Sequence, residues 1–494
     1  MPPPWDPADH YTTAYEYYSL AHTSFRGFVS DFFTGLHYYP PAFHLGVALC
    51  FWLFGSGAMQ AVLINLIALF VLMFSAYQIG SILFSHRVGG VAAILIAGYH
   101  LPACLVHEGF LDYVLLAEVT LSIWLLLRAR DFTNRRDALI FGISVALGML
   151  TKETFGLFLF FPLLFISVKV FISRNSRAIG NLFLAGLVAA VLMGIWYLPH
   201  LGDVREIFQV NQLGAVQEGE PTALSLQSFV AYSFILAKEQ IQLPFVILFL
   251  MGLIYSIVRR RSASTMIYIW IGGGYLICTL LANKDPRYTL PYLPAIAIIT
   301  ALLADSEIRW FRNAIAIVLV SLALFSFANA QWPRPGRGFH RDLFIATLSL
   351  SPSINIFDRN LLNYDHHPSP DDWGMSKFTT RIAESPGQQS EIHVGCTLNR
   401  EYFNPSNLGW NLRLRDYQKR LPRQAVISIF GPDDAELMIP SCDFLITSDR
   451  RDGASYPLLE KLDDEVTING RYVYTKLDTI VLPDGAIVAL YKRR

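Results

Sequence analysis

Long apolar runs, separated by short clusters of charge, leave this chain few folds to choose from. The runs cover approximately residues 58–84, 88–105, 112–128, 137–151, 154–172, 179–198, 243–258, 265–282, 289–304 and 313–330. A helix crossing the hydrocarbon core needs about 20 apolar residues, and in lipid its main-chain polar groups must be bonded within the helix. The expected fold is therefore mostly α, a polytopic transmembrane helical bundle of about ten spans. The run 42–54 is too short to cross unaided. Behind the Tyr39-Pro40-Pro41 break it reads as a re-entrant or interfacial helix. Only 16% of the residues are charged, against about 25% in soluble proteins. From Gln331 onward the charge content is ordinary, so a membrane body is followed by a polar domain.

The basic residues sort the loops into two sets. One alternate set holds Arg87, then Arg128, Arg130, Arg135 and Arg136, then Arg174 and Arg177, then Arg259, Arg260 and Arg261, then Arg309 and Arg312. The other holds Lys152, Lys284 and Arg287 in short loops, with Arg205 and Lys238 in a long loop at 199–242. Excess Lys and Arg marks the cytoplasmic side. Residues 1–41, the loops near 106–111, 151–153, 199–242 and 283–288, and the C-terminal part are thus expected outside the cytoplasm. Zero formal net charge gives no global field for nucleic acid.

The outer basic residues run against that charge rule, which points to an anion site at the outer membrane face. Acidic and aromatic residues share that face. The opening segment Trp5-Asp6-Pro7-Ala8-Asp9-His10-Tyr11 carries two carboxylates and a histidine. Residues 11–28 form an expected amphipathic interfacial helix, with Tyr11, Tyr15 and Tyr18 on one face. His107-Glu108-Gly109-Phe110-Leu111-Asp112 opens the third span, and Asp112 is a natural N-cap there. Leu150-Thr151-Lys152-Glu153 and Asn283-Lys284-Asp285-Pro286-Arg287-Tyr288 complete the set. A lipid-phosphate leaving group gains negative charge as its bond breaks, which Lys and Arg stabilise, while a carboxylate accepts the proton of an incoming hydroxyl. One base with a phosphate leaving group implies direct displacement with inversion; the paired carboxylates of retaining hydrolysis are not required.

At these residues the chain resembles the GT-C membrane glycosyltransferases, the bacterial protein O-mannosyltransferase and aminoarabinose-transferase type, over about residues 5–330. The resemblance rests on the acidic first loop, the Tyr39-Pro40-Pro41 turn, Leu111-Asp112, Gly148-Met149-Leu150-Thr151-Lys152-Glu153, and Asn283 to Tyr288 followed by Pro291 and Pro294. It implies a polyprenyl-phosphate-sugar donor, a lipid bilayer, an acceptor protein, lipid or glycan, and a first-loop Asp as catalytic base. By position that base is Asp6, with Asp9 in reserve, since Pro7 stands where the family often has a second acid. Asp112 matches the family's second acid. Lys152, Lys284 and Arg287 match positions that hold the lipid phosphate, and His10, His107, Glu108, Glu153 and Tyr288 are further substrate-binding candidates. No cofactor is required by this chemistry, and a divalent metal is not indicated. Family members usually carry a span before the acidic loop, so one N-terminal span is expected to be missing here. The location implied is a bacterial inner (plasma) membrane with the active-site loops outside. A transporter or flippase of a lipid-linked or anionic substrate, or an inactive scaffold of the same fold, are the alternatives.

The expected organisation is 1–41, an extracytoplasmic catalytic loop with an interfacial helix; 42–330, the helical body; and 331–494, a soluble extracytoplasmic α/β domain. In the last, Ile392-His393-Val394, Val426-Ile427-Ser428-Ile429, Phe444-Leu445-Ile446-Thr447 and Ile487-Val488-Ala489-Leu490-Tyr491 read as strands. Cys396 and Cys442 lie in this domain, where an outside location permits a disulfide. Asp365-His366-His367 and Asp371-Asp372 read as loop polarity in preference to a metal site.

Overall fold

The computed structural model describes residues 3, 5–35, 38–207, 209, 221–259, 262–281, 284–331, 373–385, 391–400, 402–419, 423–429, 432–449, 458–459, 461–483 and 485–494. The Asp365-His366-His367 and Asp371-Asp372 clusters, Asn283 and the rest of residues 332–372 lie outside them.

The body is helical throughout. Its elements are α1 (Trp5–Thr23), α2 (Phe25–Thr34), α3 (Ala42–Phe54), α4 (Ala58–Leu83), α5 (His86–Gly98), α6 (His100–Leu105), α7 (Leu111–Arg128), α8 (Arg135–Thr151), α9 (Phe155–Ser173) and α10 (Ser176–Tyr197). They continue as α11 (Leu226–Ile235), α12 (Gln242–Val258), α13 (Ser264–Leu280), a 3₁₀ segment (Pro286–Tyr292), α14 (Leu293–Ala301) and α15 (Arg309–Gln331). Among the described residues five helices are long and apolar enough to cross a membrane, one of them the continuous run Pro286–Asp305, or six if α11 and α12 form one bent span. The other expected runs are helical but shorter or more charged.

The lipid-facing signature is direct. Phe70, Phe160, Phe183, Val191, Ile254 and Ile317 are large, apolar and exposed, which water would disfavour and hydrocarbon tolerates. Between helices, small residues allow close approach. A Cβ on Gly80 of α4 would stand 2.7 Å from the Gly89 Cα of α5.

Three expectations change. The run 88–105 is two helices broken at Tyr99, whose extended backbone (ψ 140°) interrupts the ladder. The long loop at 199–242 contains α11, continued by a π-turn at Leu236–Gln240 and bent 119° against α12. The amphipathic helix at 11–28 begins earlier, at Trp5, and stops at Thr23, because Ser24 turns extended and its hydroxyl accepts from the Gly27 N–H as the N-cap of α2. Its tyrosine face meets protein. Tyr11 and Tyr15 are buried and pack edge-on against Trp410, with ring centroids 5.6 and 6.1 Å away.

The C-terminal domain comprises α16 (Met375–Glu384), β1 (Glu391–Cys396), α17 (Pro405–Lys419), β2 (Arg423–Ser428), α18 (Pro432–Met438), β3 (Phe444–Ser448), β4 (Glu465–Ile468), β5 (Tyr472–Val481) and β6 (Ile487–Arg493). Its six-stranded sheet runs β2-β1-β3-β6-β5-β4, parallel across β2, β1 and β3 and antiparallel beyond. The parallel part follows from β-helix-β connections, which need a crossover helix. Apolar clusters fill both faces of the sheet. Strands β4 and β5 were missed, although Asn469-Gly470 marks them. Asn469, Gly470 and Arg471 connect the paired residues Ile468 and Tyr472, and Asn469 and Gly470 both have positive φ (54° and 63°), which tight hairpin turns favour. Cys396 and Cys442 are buried free thiols, so the permitted disulfide is not formed.

Candidate active site

Four loop or helix ends deliver five charged side chains to one place. Lys152 follows the last turn of α8 in extended conformation, which turns its side chain across the end of α7. Its Nζ donates to Asp112 Oδ1 at 2.7 Å, and both side chains are 5% exposed. Asp112 is therefore not the N-cap of α7; that position is Phe110, and the carboxylate is committed to Lys152. The ammonium also lies over the rings of Tyr288 (4.9 Å) and Tyr39 (5.5 Å), a placement that favours a cation. Burial alone would lower the Lys152 pKa; Asp112 outweighs it and holds the ammonium above the usual lysine value.

Arg287 is fixed by its own local sequence. In Asp285-Pro286-Arg287, Asp285 is the N-cap of the 3₁₀ segment and Pro286 supplies the fixed φ of the first position. Asp285 Oδ1 accepts from the Arg287 main-chain N–H at 2.8 Å. The same carboxylate accepts from Arg287 Nε at 3.1 Å and Nη2 at 2.8 Å, a bidentate fork. The third guanidinium nitrogen, Nη1, donates to Asp6 Oδ2 at 2.5 Å and stands 4.0 Å from Asp112 Oδ2. Phe110 lies beneath the guanidinium, 4.8 Å to the ring centroid.

Asp6 sits in the first turn of α1 with its side chain 47% exposed, in contrast to the closed Asp112–Lys152 pair. Loss of water would raise its pKa, but the Arg287 charge and hydrogen bond hold the carboxyl below the ordinary 3.8. One turn on, His10 is buried, with Nδ1 3.1 Å from His44 Nε2 and Tyr39 and Phe43 around the ring. Burial first pushes it down to about 4, so it is neutral and serves as packing behind Asp6.

The remaining candidates separate from this network. Asp9 faces the C-terminal domain, where Oδ2 accepts from Ser406 Oγ at 2.9 Å. Lys284 is buried with its Nζ donating to the carbonyls of Cys278 (2.9 Å), Thr279 (3.1 Å) and Leu281, the C-terminal end of α13. That is the favoured place for a cation on a helix dipole. Glu153 is half-buried beside Lys152; burial, partly offset by Lys152, raises its carboxyl. Between α6 and α7, Glu108 contributes its main-chain carbonyl, which accepts from Tyr11 Oη at 3.1 Å, and His107 is half-buried in the same turn. Tyr288 joins the site as a wall of Lys152. Among the described residues no group of three or more His, Cys, Asp and Glu is placed to hold a metal.

Gly109 locks α1 to this turn. Its φ is +77°, and a Cβ there would fall 1.7 Å from Tyr11 Oη. Gly109→Ala is expected to destabilise the protein by about 1–3 kcal/mol through the left-handed backbone and the displaced tyrosine. Thermal unfolding of the purified protein checks this; an unchanged Tm would mean Tyr11 moves aside freely.

Residues missed as site components are Asp285, Tyr39 and Phe110, though each lay within or beside a quoted motif. Nothing in the sequence marked Asn399, Ser406, Asn407 and Trp410, which reach α1 from the C-terminal domain.

Comparison with known proteins bears on this arrangement. Residues 39–200 match the family described as dolichyl-phosphate-mannose-protein mannosyltransferase. An uncharacterized protein of Aquifex aeolicus is 28% identical over 236 residues, 44% of this chain and 44% of that relative. The chain thus spans under half the length of the curated relative it matches. ArnT from Cupriavidus metallidurans in the apo state superposes on 99% of this chain and 94% of its own, with TM-score 0.59 and 14% identity. ArnT bound to undecaprenyl phosphate gives 0.56 and 13% over the same shares. The Archaeoglobus fulgidus oligosaccharyltransferase, in complex with zinc and sulfate, gives 0.54 and 11%, over 91% of this chain and 64% of that one. The chain has the GT-C fold. Within that GT-C body, the acidic first helix, the Asp112 turn, the Lys152 turn and the Asp285-Pro286-Arg287 turn gather at one end of the helices. The chain is a multi-pass membrane protein, as its apolar helices require.

Proposed function

We propose that this chain is an inverting glycosyltransferase that moves a sugar from a polyprenyl-phosphate donor to an acceptor hydroxyl at the outer face of the membrane. The observation that carries the reading is the half-exposed Asp6 carboxylate on Arg287 Nη1, beside the buried Asp112–Lys152 pair. Asp285 retains the guanidinium through Nε and Nη2, so Nη1 is the donor that a phosphate oxygen takes over. Carboxylates outnumber cations there, with Asp6, Asp112 and Asp285 against Lys152 and Arg287. A phosphate therefore requires one carboxylate to turn away, and Asp6 is the one with room. Freed from Arg287, Asp6 accepts the proton of the acceptor hydroxyl as its oxygen bonds to the anomeric carbon. The carbon–phosphate-oxygen bond breaks on the opposite side. The electron pair departs with the lipid phosphate, and Arg287 and Lys152 offset its growing charge. Asp112 orients Lys152. The likeness of fold to ArnT, a protein seen with undecaprenyl phosphate, supports the donor class. The loop charges favour placing this face outside the cytoplasm, and the resemblance to the bacterial branch of the family favours a bacterial inner membrane.

The test is release of polyprenyl phosphate from polyprenyl-phosphate hexoses by wild type and Asp6→Asn. Release by both would remove Asp6 from the mechanism, and release by neither, with folded protein, would favour a transporter or scaffold. Because two side-chain cations serve the phosphate, EDTA is expected to leave the rate unchanged. Loss on chelation, restored by a divalent cation, would move the phosphate's charge partner to a metal.

A further inference from the structure

The C-terminal domain grips the helix that carries Asp6. Three stripes of α1 have three partners. Asp6 and His10 face the helical body, at Arg287 and His44. Tyr11 and Tyr15 face Trp410, which is 2% exposed and stacks on Phe51 of α3 at 5.9 Å. Trp5, Asp9 and Glu16 face the C-terminal domain. There Trp5 Nε1 donates to Asn399 Oδ1 at 2.6 Å, Ser406 Oγ donates to Asp9, and Arg413 pairs with Glu16 at 3.2 Å. Just before the helix, Asn407 Nδ2 donates to the Pro3 carbonyl at 2.7 Å. Asn407 is fully buried, and its main-chain N–H donates to Asn404 Oδ1 at 2.9 Å, so its side chain starts from a fixed backbone.

Trp410 belongs to the apolar core of the helical body, not to the core of its own domain. The polar bonds fall at the very start of α1, on either side of Asp6, where orientation matters most. A helix side chain ends roughly 5–6 Å from the helix axis, so a rotation of about 10° carries a carboxylate by about 1 Å. A displacement of that size at a reacting group is worth on the order of 100-fold in rate.

We propose that α17 of the C-terminal domain is the positioning element of the transfer reaction, with Asn407 and Ser406 as positioning residues that set the rotation of α1 and hence the reach of Asp6. The proposal rests on the reading of Asp6 as base. Neither side chain touches substrate in it; they act through Pro3 and Asp9.

The experiment uses the full chain and compares wild type, Asn407→Ala, Ser406→Ala, the double variant and Asp6→Asn. Each is measured for Tm, for binding of polyprenyl phosphate, and for the pH profile of transfer. The double variant is expected to lose transfer roughly tenfold to 100-fold in kcat, with donor KM and polyprenyl-phosphate binding within about twofold, since Lys152, Asp285 and Arg287 are untouched. Its acid limb is expected to move upward, because an Asp6 that slips from Arg287 returns toward the ordinary carboxylate range. Loss of rate in proportion to a fallen Tm, with an unmoved acid limb, would reduce these contacts to packing and overturn the proposal. Should Asn407→Ala fail to fold, Ser406→Ala alone carries the test with a smaller effect, and wild-type kcat and acid limb there would overturn it. Wild-type transfer by Asp6→Asn would defeat both the base and its positioning. An inactive Asp6→Asn with a normal double variant would defeat the positioning alone.

Discussion

Asp6→Asn is expected to lower sugar transfer by roughly 10²- to 10⁴-fold, the range in which a general base contributes, while polyprenyl phosphate binds as well as or better than to wild type. The second half follows from Arg287. In the wild-type protein its Nη1 is shared with Asp6 at 2.5 Å, and the neutral amide leaves that donor to the phosphate. Asp9→Asn is expected to retain transfer within a few-fold, since Asp9 does not face Arg287 and the amide oxygen of Asn still accepts from Ser406 Oγ. The pH profile separates the two carboxylates independently. Loss of water around Asp9 outweighs its hydrogen bond and raises it to about 6. Asp6, held by Arg287 against burial, titrates below the ordinary 3.8 in the free enzyme. A base works only when ionised, so with Asp6 as base kcat/KM for the donor stays level as pH falls through 6 and declines only below the ordinary 3.8. A decline centred near 6 that disappears in Asp9→Asn would assign the base to Asp9.

How much of this was legible depended on whether the signal was local. The helices from 58 to 330 could be read because lipid imposes a length and an apolarity that few other structures demand. Lys152, Asp112, Arg287 and Asp6 were legible as charges on the side where basic residues are scarce. What the sequence did not carry was which charges meet. Lys284 and Arg287 are three residues apart, yet one caps α13 and the other reaches Asp6, because Asp285-Pro286 starts the 3₁₀ segment between them. Asp112 looked like a helix cap because a cap is a local role; its true partner is 40 residues away. The grip of Asn407 and Trp410 on α1 spans about 400 residues and left no periodicity or motif. The hairpin at Asn469-Gly470 is by contrast a local signal, since both residues take the positive φ that such turns favour.

Replacing Lys152 alone with Met is expected to destabilise the protein by about 3–5 kcal/mol, because it strands a buried carboxylate. Both partners are 5% exposed, so water does not reach Asp112 to take over. Asp112→Asn alone strands the ammonium between Tyr39 and Tyr288 and has a similar expected cost, lessened to the extent that the two rings retain the cation. The double variant, Asp112→Asn with Lys152→Met, removes both charges. It is expected to recover most of the lost stability, since a buried ion pair is often no more stabilising than a well-packed neutral pair. Thermal unfolding of the three variants gives the coupling between the sites. Transfer behaves differently in the same set, since Lys152 is the second cation on the leaving phosphate. It is expected to remain at least about 100-fold down in the double variant however well that protein folds. Lys152 lies above the usual lysine value, with Asp112 overcoming burial. Its part in stability is therefore fully present below lysine's ordinary 10.5 and is lost only as pH rises through the higher folded value. Recovery of stability together with transfer would make the pair purely structural and leave the leaving group to Arg287. Recovery of stability without transfer would mean that the buried charges are retained for the reaction, at no gain to the fold.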